Sequence, residues 1–305
     1  MRKHATFFIP GTTADLAYSN IRDLPSAAHN KSFVELLWSE YWSIADAGFL
    51  ARAQHEFHQR FWEMYVGVSL LKAGHRLVKH GDEGPEFFFE VGGRRVWVEA
   101  VAPTAGTGVD RVPELVPQQS GTVPVEQILL RFAGALKDKR ARYAHAIEKG
   151  IVKPEDAYVL AINSRGIPHA LFGNTLPYFV QAFLPFGPLA VSIDPTTHGV
   201  NEAHYQYRAA IRKRNLEPVS TEPFLEPEYS FCSAVIHSGV DCANYPGRMG
   251  GDFLVLHNPN AAHPLPASVL ERYAQLHFYE GALHRTDAAP FDDETPDGGA
   301  GLFSS

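Results

Sequence analysis

Cysteine is scarce in this sequence, and long unbroken apolar runs are missing. The two cysteines, Cys232 and Cys242, are too few for a disulfide scaffold, and their spacing matches no zinc pattern by itself, so we expect reduced thiols. The most apolar stretch, residues 176–193, contains three prolines and Gln181. It cannot supply the roughly 20 consecutive apolar residues that a membrane-spanning helix needs. We therefore expect no association with a membrane.

A secretory leader is not visible either. Arg2 and Lys3 are followed by a mixed polar segment rather than by a long apolar region and a small-residue cleavage site, so we expect a cytoplasmic protein. With 305 residues, of which 45% are hydrophobic and 12% aromatic, the chain can bury a large core in one big domain or two modest ones.

Positive charge is in deficit. A net charge of -7 disfavours a protein that coats nucleic acid with its whole surface, because such binding neutralises many phosphates with Lys and Arg. Local basic patches remain, at residues 131–142 and at the cluster of Arg208, Arg212, Lys213 and Arg214. The first patch most simply forms the solvated face of an amphipathic helix, and phosphate binding is its alternative.

Several catalytic motifs are also absent. The Gly92-Gly93 pair has the context of a hairpin turn, and residues 106–111 lack the lysine and hydroxyl residue of a phosphate-binding P-loop. The sequence contains no G-x-S-x-G segment, the motif of many serine hydrolases. No HExxH motif or cysteine pair accompanies His55 and His58 to form a zinc site. These absences disfavour three common classes of enzyme.

The patterning that is present predicts an α/β protein. Apolar residues repeat at three and four over residues 52–73, as in a helix with one buried stripe, and Gly74 supplies its end. Two β-rich runs joined by Gly-Gly indicate a hairpin, and the continuous apolar run at 157–162 is typical of a buried strand. The predicted order is helix, three strands, helix, strand, at 52–73, 75–80, 87–91, 95–101, 124–150 and 157–162.

The rest of the chain is less regular. Residues 103–124 predict a long loop that acts as a lid or contacts substrate. Beyond the core we expect a helix at 201–215, strands at 231–237 and 253–257, and a disordered acidic tail. The predicted organisation is an N-terminal helical segment with a short helix, a core, a C-terminal α/β extension packed on that core and the tail, at 1–50, 51–165, 166–285 and 286–305.

Three glutamates form the candidate site. If the first hairpin strand begins beside the end of the second, Glu86 and Glu99 meet at one edge. Glu99 would then lie on an otherwise apolar strand face, where an ionised carboxylate is costly unless a cation compensates it. Magnesium prefers a few carboxylate oxygens plus water, and Glu63 on the preceding helix can add a third carboxylate.

Each glutamate also has a simpler interpretation. Glu86 can be a turn carboxylate, Glu63 a solvated helix residue, and Glu99 the partner of a buried ion pair with Arg95 or Arg131, because unpaired buried carboxylates are rare. Only the combination of the three favours a functional site.

These elements resemble the core of the PD-(D/E)XK nuclease superfamily, the restriction-endonuclease-like fold, over about residues 50–165. The resemblance rests on the helix with Glu63, the Pro85-Glu86 strand, the Val98-Glu99 strand, and the helix and strand that follow. It implies that Glu63, Glu86 and Glu99 hold magnesium or manganese, with Glu86 replacing the usual aspartate. It also implies hydrolysis of phosphodiester bonds in nucleic acid, with DNA preferred over RNA.

One position departs from the family pattern. Val101 stands where the family places its lysine, so the resemblance implies that Arg131, Lys137 or Lys139 on the second helix supplies the basic group and acts with Glu86 and Glu99 in catalysis. If none reaches the site, an inactive nuclease-fold binding module is the alternative. A small-molecule enzyme with residues 103–124 as its lid is another, and whether the chain forms a homodimer stays open.

Overall fold

The computed structural model describes residues 6–79, 83–116, 118, 120–172 and 176–289, which form a mixed α/β protein. The helices of these residues are α1 Leu16–Asp23, α2 Ala28–Tyr41, α3 Phe49–Ala53, α4 Phe57–Lys72, α5 Val125–Glu148 and α6 Tyr178–Phe183. The strands are β1 Phe87–Val91, β2 Arg94–Val101, β3 Ala157–Asn163, β4 Phe186–Ile193, β5 Val200–Tyr207, β6 Ala210–Arg212, β7 Pro218–Ser220, β8 Ala234–Ser238, β9 Leu254–His257, β10 Ala274–Tyr279 and β11 Ala282–Thr286. No helix in these ranges has the length and hydropathy to cross a bilayer.

One seven-stranded sheet organises the molecule, in the order β1-β2-β3-β8-β9-β10-β11. The strands β2, β3 and β8 are parallel, whereas β1 is antiparallel to β2 and β9 is antiparallel to β8. Because β8 to β11 continue the sheet begun by β1 to β3, the segment 166–285 shares one sheet with the segment 51–165. The C-terminal segment therefore continues the central sheet beyond β3.

The predicted hairpin is confirmed as β1 and β2. Gly92 and Gly93 both have positive φ, 57° and 78°, which a tight two-residue hairpin turn requires. The predicted strand at 75–80 is reduced, among its described residues, to one bridge between Val78 and Phe88. The ring of His75 contacts that of Phe89 in a tilted arrangement with centroids 4.2 Å apart, and its Nε2 lies 3.0 Å from the oxygen of Val269.

Helix α4 is shorter and more deeply buried than predicted. It begins at Phe57, whose amide donates to Asp15 Oδ2 at 3.0 Å, and Gly74 follows it with φ of 94°. The expectation of a single buried stripe is wrong, because α2 covers the side of α4 that faces away from the sheet. At Gly67, a Cβ atom would lie 2.5 Å from the ring of Tyr41, which shows how closely the two helices approach.

The sheet has α4 on one face and α5 on the other. Val98 and Ala100 of β2 pack in the cluster that contains α4, whereas Leu136 of α5 packs with Leu160 and Ile162 of β3. Since β3 alternates between these two apolar layers, all of it is buried, as its continuous apolar run predicts. The second helix is confirmed as α5, and Gly150 follows it with φ of 70°.

The predictions for the remaining segments had mixed outcomes. The helix at 201–215 is wrong, because β5 pairs there with β4 and β6 pairs with β7. The strands at 231–237 and 253–257 are confirmed as β8 and β9, and both cysteines are free and buried. The predicted N-terminal helix is α2. The tail at 286–305 lies outside the described residues from position 290 onward.

Candidate functional site

Glu86 lies immediately before β1 and near Glu99 of β2. The ladder begins with Phe87 opposite Val98, and the amide of Glu86 donates to the oxygen of Val98 at 3.1 Å. The charge of Glu99 raises the pKa of Glu86, so the two carboxyl groups are within electrostatic range of each other.

Glu99 faces α5 and is neutralised by that helix. Its side chain is 2% exposed, and its Oε1 accepts hydrogen bonds from Lys139 Nζ and from Arg142 Nη1, the latter at 3.4 Å. Lys139 is itself buried, whereas the Arg142 side chain is 70% exposed. Glu99 thus forms an ion pair, but its partners are not Arg95 or Arg131, the two arginines considered in the sequence analysis.

The three basic residues predicted for the site separate in the structure. Lys139 reaches Glu99, but Arg131 donates from Nε to the oxygen of Thr104 at 2.9 Å, and Lys137 lines a different cavity. Successive helical residues are rotated by about 100°, so Lys137, two positions from Lys139, faces nearly the opposite side of α5. Arg131 lies about 12 Å further along the helix axis.

Glu63 is fully buried, which excludes its interpretation as a solvated helix residue. Its Oε1 accepts a hydrogen bond from the Tyr41 hydroxyl at 2.7 Å, and its Oε2 pairs with Arg60. Burial raises the pKa of Glu63, and the guanidinium of Arg60 opposes that rise. Both carboxylate oxygens are therefore already engaged by groups of the chain.

Glu86 is the carboxylate without a partner of its own. Burial raises its pKa well above the ordinary value of 4.5, the charges of Glu63 and Glu99 raise it further, and Arg60 and Lys139 lower it only in part. The residue keeps some exposed surface. No described residue donates a hydrogen bond to this side chain. Its carboxyl group therefore holds its proton to higher pH than that of an ordinary glutamate.

Glu86 and Glu99 both have carboxylate oxygens that are available to bind a metal ion. Within the part of the chain that the structure describes, no three Asp, Glu, His or Cys side chains are arranged to hold a metal, and Glu63, predicted as the third ligand, is occupied on both oxygens. Both cations on Glu99 contact Oε1, which leaves its Oε2 and the Glu86 carboxylate. Magnesium often takes only one or two carboxylates, with water and substrate phosphate completing its shell, so these two residues fit that ion.

A cavity of about 510 Å³ lies beside Glu99. Helix α5 forms one wall, and the segment that leads into β1 forms another. The lining residues are Glu83, Gly84, Pro85, Glu99, Ala141, Arg142, His145, Ala146, Ile151 and Tyr158. This cavity provides access from solvent to an otherwise buried carboxylate.

The loop predicted as a lid lies elsewhere. No described residue of the segment 103–124 lines the cavity beside Glu99. Thr107 and Asp110 of this loop instead line a cavity of about 570 Å³ between α5 and the β6–β7 hairpin. In the described conformation the loop therefore does not cover the glutamates.

Two residues of the site were not identified from the sequence: Tyr41 and Tyr158. Arg142 belongs to the basic patch at 131–142, for which phosphate binding was the alternative interpretation. Nothing local indicates Tyr41 or Tyr158, because each comes near the site only through the packing of distant elements. No family model, curated protein or solved structure matches this chain.

Proposed function

We propose that this protein is a metal-dependent nuclease-like hydrolase that cleaves phosphodiester bonds of DNA. The observation that carries the proposal is that Glu86, immediately before β1, interacts electrostatically with Glu99 of β2, with Lys139 from the following helix on the Glu99 carboxylate. Two acids and a lysine thus meet at the end of one strand pair, beside a cavity that opens to solvent.

The element order supports the same function. Helix α4, strands β1 and β2, helix α5 and strand β3, parallel to β2, follow the order on which the resemblance to the PD-(D/E)XK superfamily rests. Val101 cannot supply the basic group of that family. We propose that Lys139 supplies it, because Lys139 contacts Glu99 from the neighbouring helix.

The site residues have distinct roles in this proposal. A magnesium ion held by Glu86 and Glu99 would lower the pKa of an attacking water and neutralise charge on the phosphate. Lys139 orients Glu99 and supplies positive charge beside the scissile phosphate. Arg142, being largely exposed at the cavity mouth, donates to a phosphate oxygen in a charge-assisted hydrogen bond. Arg60 and Tyr41 hold Glu63 as a fixed buried charge behind the site.

A second candidate is a nuclease-fold module that binds without cutting. Its support is that Arg60 and Lys139 already pair with Glu63 and Glu99, so part of the charge that a metal would neutralise is neutralised by the chain itself. The small-molecule enzyme has less support, because its predicted lid lies away from the cavity beside Glu99.

The test is magnesium and manganese titration by calorimetry on the wild type and on Glu86→Gln, followed by a plasmid-nicking assay with both proteins. We expect metal binding and nicking in the wild type and loss of both in the variant. Glu90→Gln is the matched control, since Glu90 lies on β1, four residues after Glu86, and is exposed. Binding of metal without nicking would favour the second candidate, and no binding at millimolar metal by a folded wild type would refute metal catalysis.

A further inference from the structure

Tyr158 carries a buried hydroxyl that has no hydrogen-bond partner among the described residues. The side chain, on β3, is 0% exposed, and its ring contacts those of Tyr143 and Phe231 with centroids 5.2 and 5.7 Å away. A buried polar group without a partner costs free energy, and native proteins rarely tolerate one without a reason. The hydroxyl is thus a donor with no acceptor in the protein.

Tyr158 lines the cavity beside Glu99 together with Arg142. In the sheet Tyr158 is paired with Trp97, two residues before Glu99 on the same strand face. Burial raises the pKa of Tyr158 well above its ordinary value, and the charge of Glu99 adds to that rise. The hydroxyl therefore stays protonated and can donate to an acceptor bound in the cavity.

The cavity is built by small residues. Ala141 and Ala146 of α5 line it with little bulk. Gly84 on the opposite wall has φ of 98°, and a Cβ atom there would lie 2.9 Å from Ile151 Cγ2. A volume of about 510 Å³ is within the range of about 300–1,000 Å³ typical of small-molecule sites, so it can hold one nucleotide-sized group.

We infer that this cavity binds a single phosphate group with the nucleotide that carries it, and that the Tyr158 hydroxyl and the Arg142 guanidinium donate to the phosphate oxygens. The choice of phosphate as ligand rests on the proposed function. Glu83 and Glu99 also line the cavity, and Arg142 Nη1 lies 3.4 Å from Glu99 Oε1, so a phosphate bound by Arg142 lies beside Glu99. The phosphate comes either from a nucleic-acid strand or from a free nucleotide.

This cavity gives a substrate access to the buried carboxylate of Glu99. Glu99 is almost inaccessible except through this cavity, which is too small for a stiff duplex. A flexible single strand, or the end of one, can place one nucleotide there. We therefore expect single-stranded DNA to bind more tightly than a duplex of the same sequence.

The experiment is fluorescence anisotropy with a labelled single-stranded oligonucleotide, in competition with unlabelled duplex, a mononucleotide and inorganic phosphate. Tyr158→Phe removes only the hydroxyl, and Tyr143→Phe, a neighbouring tyrosine that does not line the cavity, is the matched control. A hydrogen bond to a charged group accounts for about tenfold or more in affinity. We expect Tyr158→Phe to bind the oligonucleotide about tenfold or more weakly than the wild type. We expect the affinity of Tyr143→Phe to stay within about twofold of wild type, because this substitution breaks no contact with the ligand.

Two further readouts decide the interpretation. Because the hydroxyl has no partner to lose, Tyr158→Phe should unfold at the wild-type temperature or above, and a less stable variant would overturn the inference. So would unchanged oligonucleotide affinity, or no binding of any phosphate ligand by the wild type. Competition by the mononucleotide at equal affinity identifies a free nucleotide as the ligand, and competition only by strands identifies nucleic acid. If the wild type binds a phosphate ligand in a Tyr158-dependent way but binds no metal, the phosphate site is supported and the metal-dependent nuclease function is refuted.

Discussion

Replacing Glu86 by glutamine should stabilise the protein at neutral pH. In the folded chain, burial and the charges of Glu63 and Glu99 raise the pKa of Glu86 well above its ordinary value of 4.5. Below that value both the folded and the unfolded chain are protonated here, and the residue carries no penalty. As the pH rises towards the folded pKa, only the unfolded state releases the proton, so wild-type stability falls.

The free energy of unfolding falls by at most about 1.4 kcal/mol per pH unit for one such group. Each kcal/mol of unfolding free energy corresponds to about 2–4 °C in the unfolding temperature of a large domain. Glutamine does not ionise. We therefore expect Glu86→Gln to match the wild type near pH 4 and to exceed its unfolding temperature by several degrees at pH 7.5, as about 2–4 °C per kcal/mol implies.

The assay is urea and thermal unfolding of both proteins between pH 4 and 8 without added metal. Glu90→Gln makes the same substitution at an exposed position of β1 and should stay within about 0.5 kcal/mol of wild type at every pH. A Glu86→Gln protein that is less stable than wild type at pH 7.5 would refute the reasoning, because it would show that the carboxylate is ionised and paired in the native state.

The ion pairs and the metal site lead to three more predictions. Lys139→Met leaves Glu99 buried without its nearest cation and should lower the free energy of unfolding in urea by about 3–5 kcal/mol. The double variant that also carries Glu99→Met should recover much of this loss. Additive losses in the two single variants would contradict the pairing. Tyr41→Phe removes the 2.7 Å hydrogen bond to Glu63 and should cost about 1–3 kcal/mol, and no loss would show another donor. Magnesium at about 100 times its dissociation constant should stabilise the wild type by about 2.7 kcal/mol and should leave Glu86→Gln unchanged; equal stabilisation of both proteins would place the ion elsewhere.

Local features of the sequence predicted the hairpin and the ends of the helices. Gly92 and Gly93 permit the positive φ angles of the turn, and the alternating runs beside them determine the register that opposes Phe87 to Val98. Gly74 and Gly150 end their helices for the same conformational reason. These predictions held because backbone preferences act within a few residues.

Predictions that depended on distant partners were less reliable. The segment 201–215 forms strands because β4 and β7 lie beside it. The start of α4 is determined by Asp15, about forty residues earlier in the chain, and no periodicity in the helix itself indicates that hydrogen bond.

The sequence by itself determined a mixed α/β chain with three glutamates on one helix-hairpin unit and a basic helix after it. Only the tertiary structure decided how these charges are paired. The rotation of α5 about its axis turns Lys139 and Arg142 towards Glu99 and turns Lys137 away. The packing of α2 on α4 pairs Glu63 with Tyr41, and β3 places Tyr158 in the wall of the cavity beside Glu99. The physical reason is that charge pairing depends on distances across the fold, which local conformational preferences do not encode.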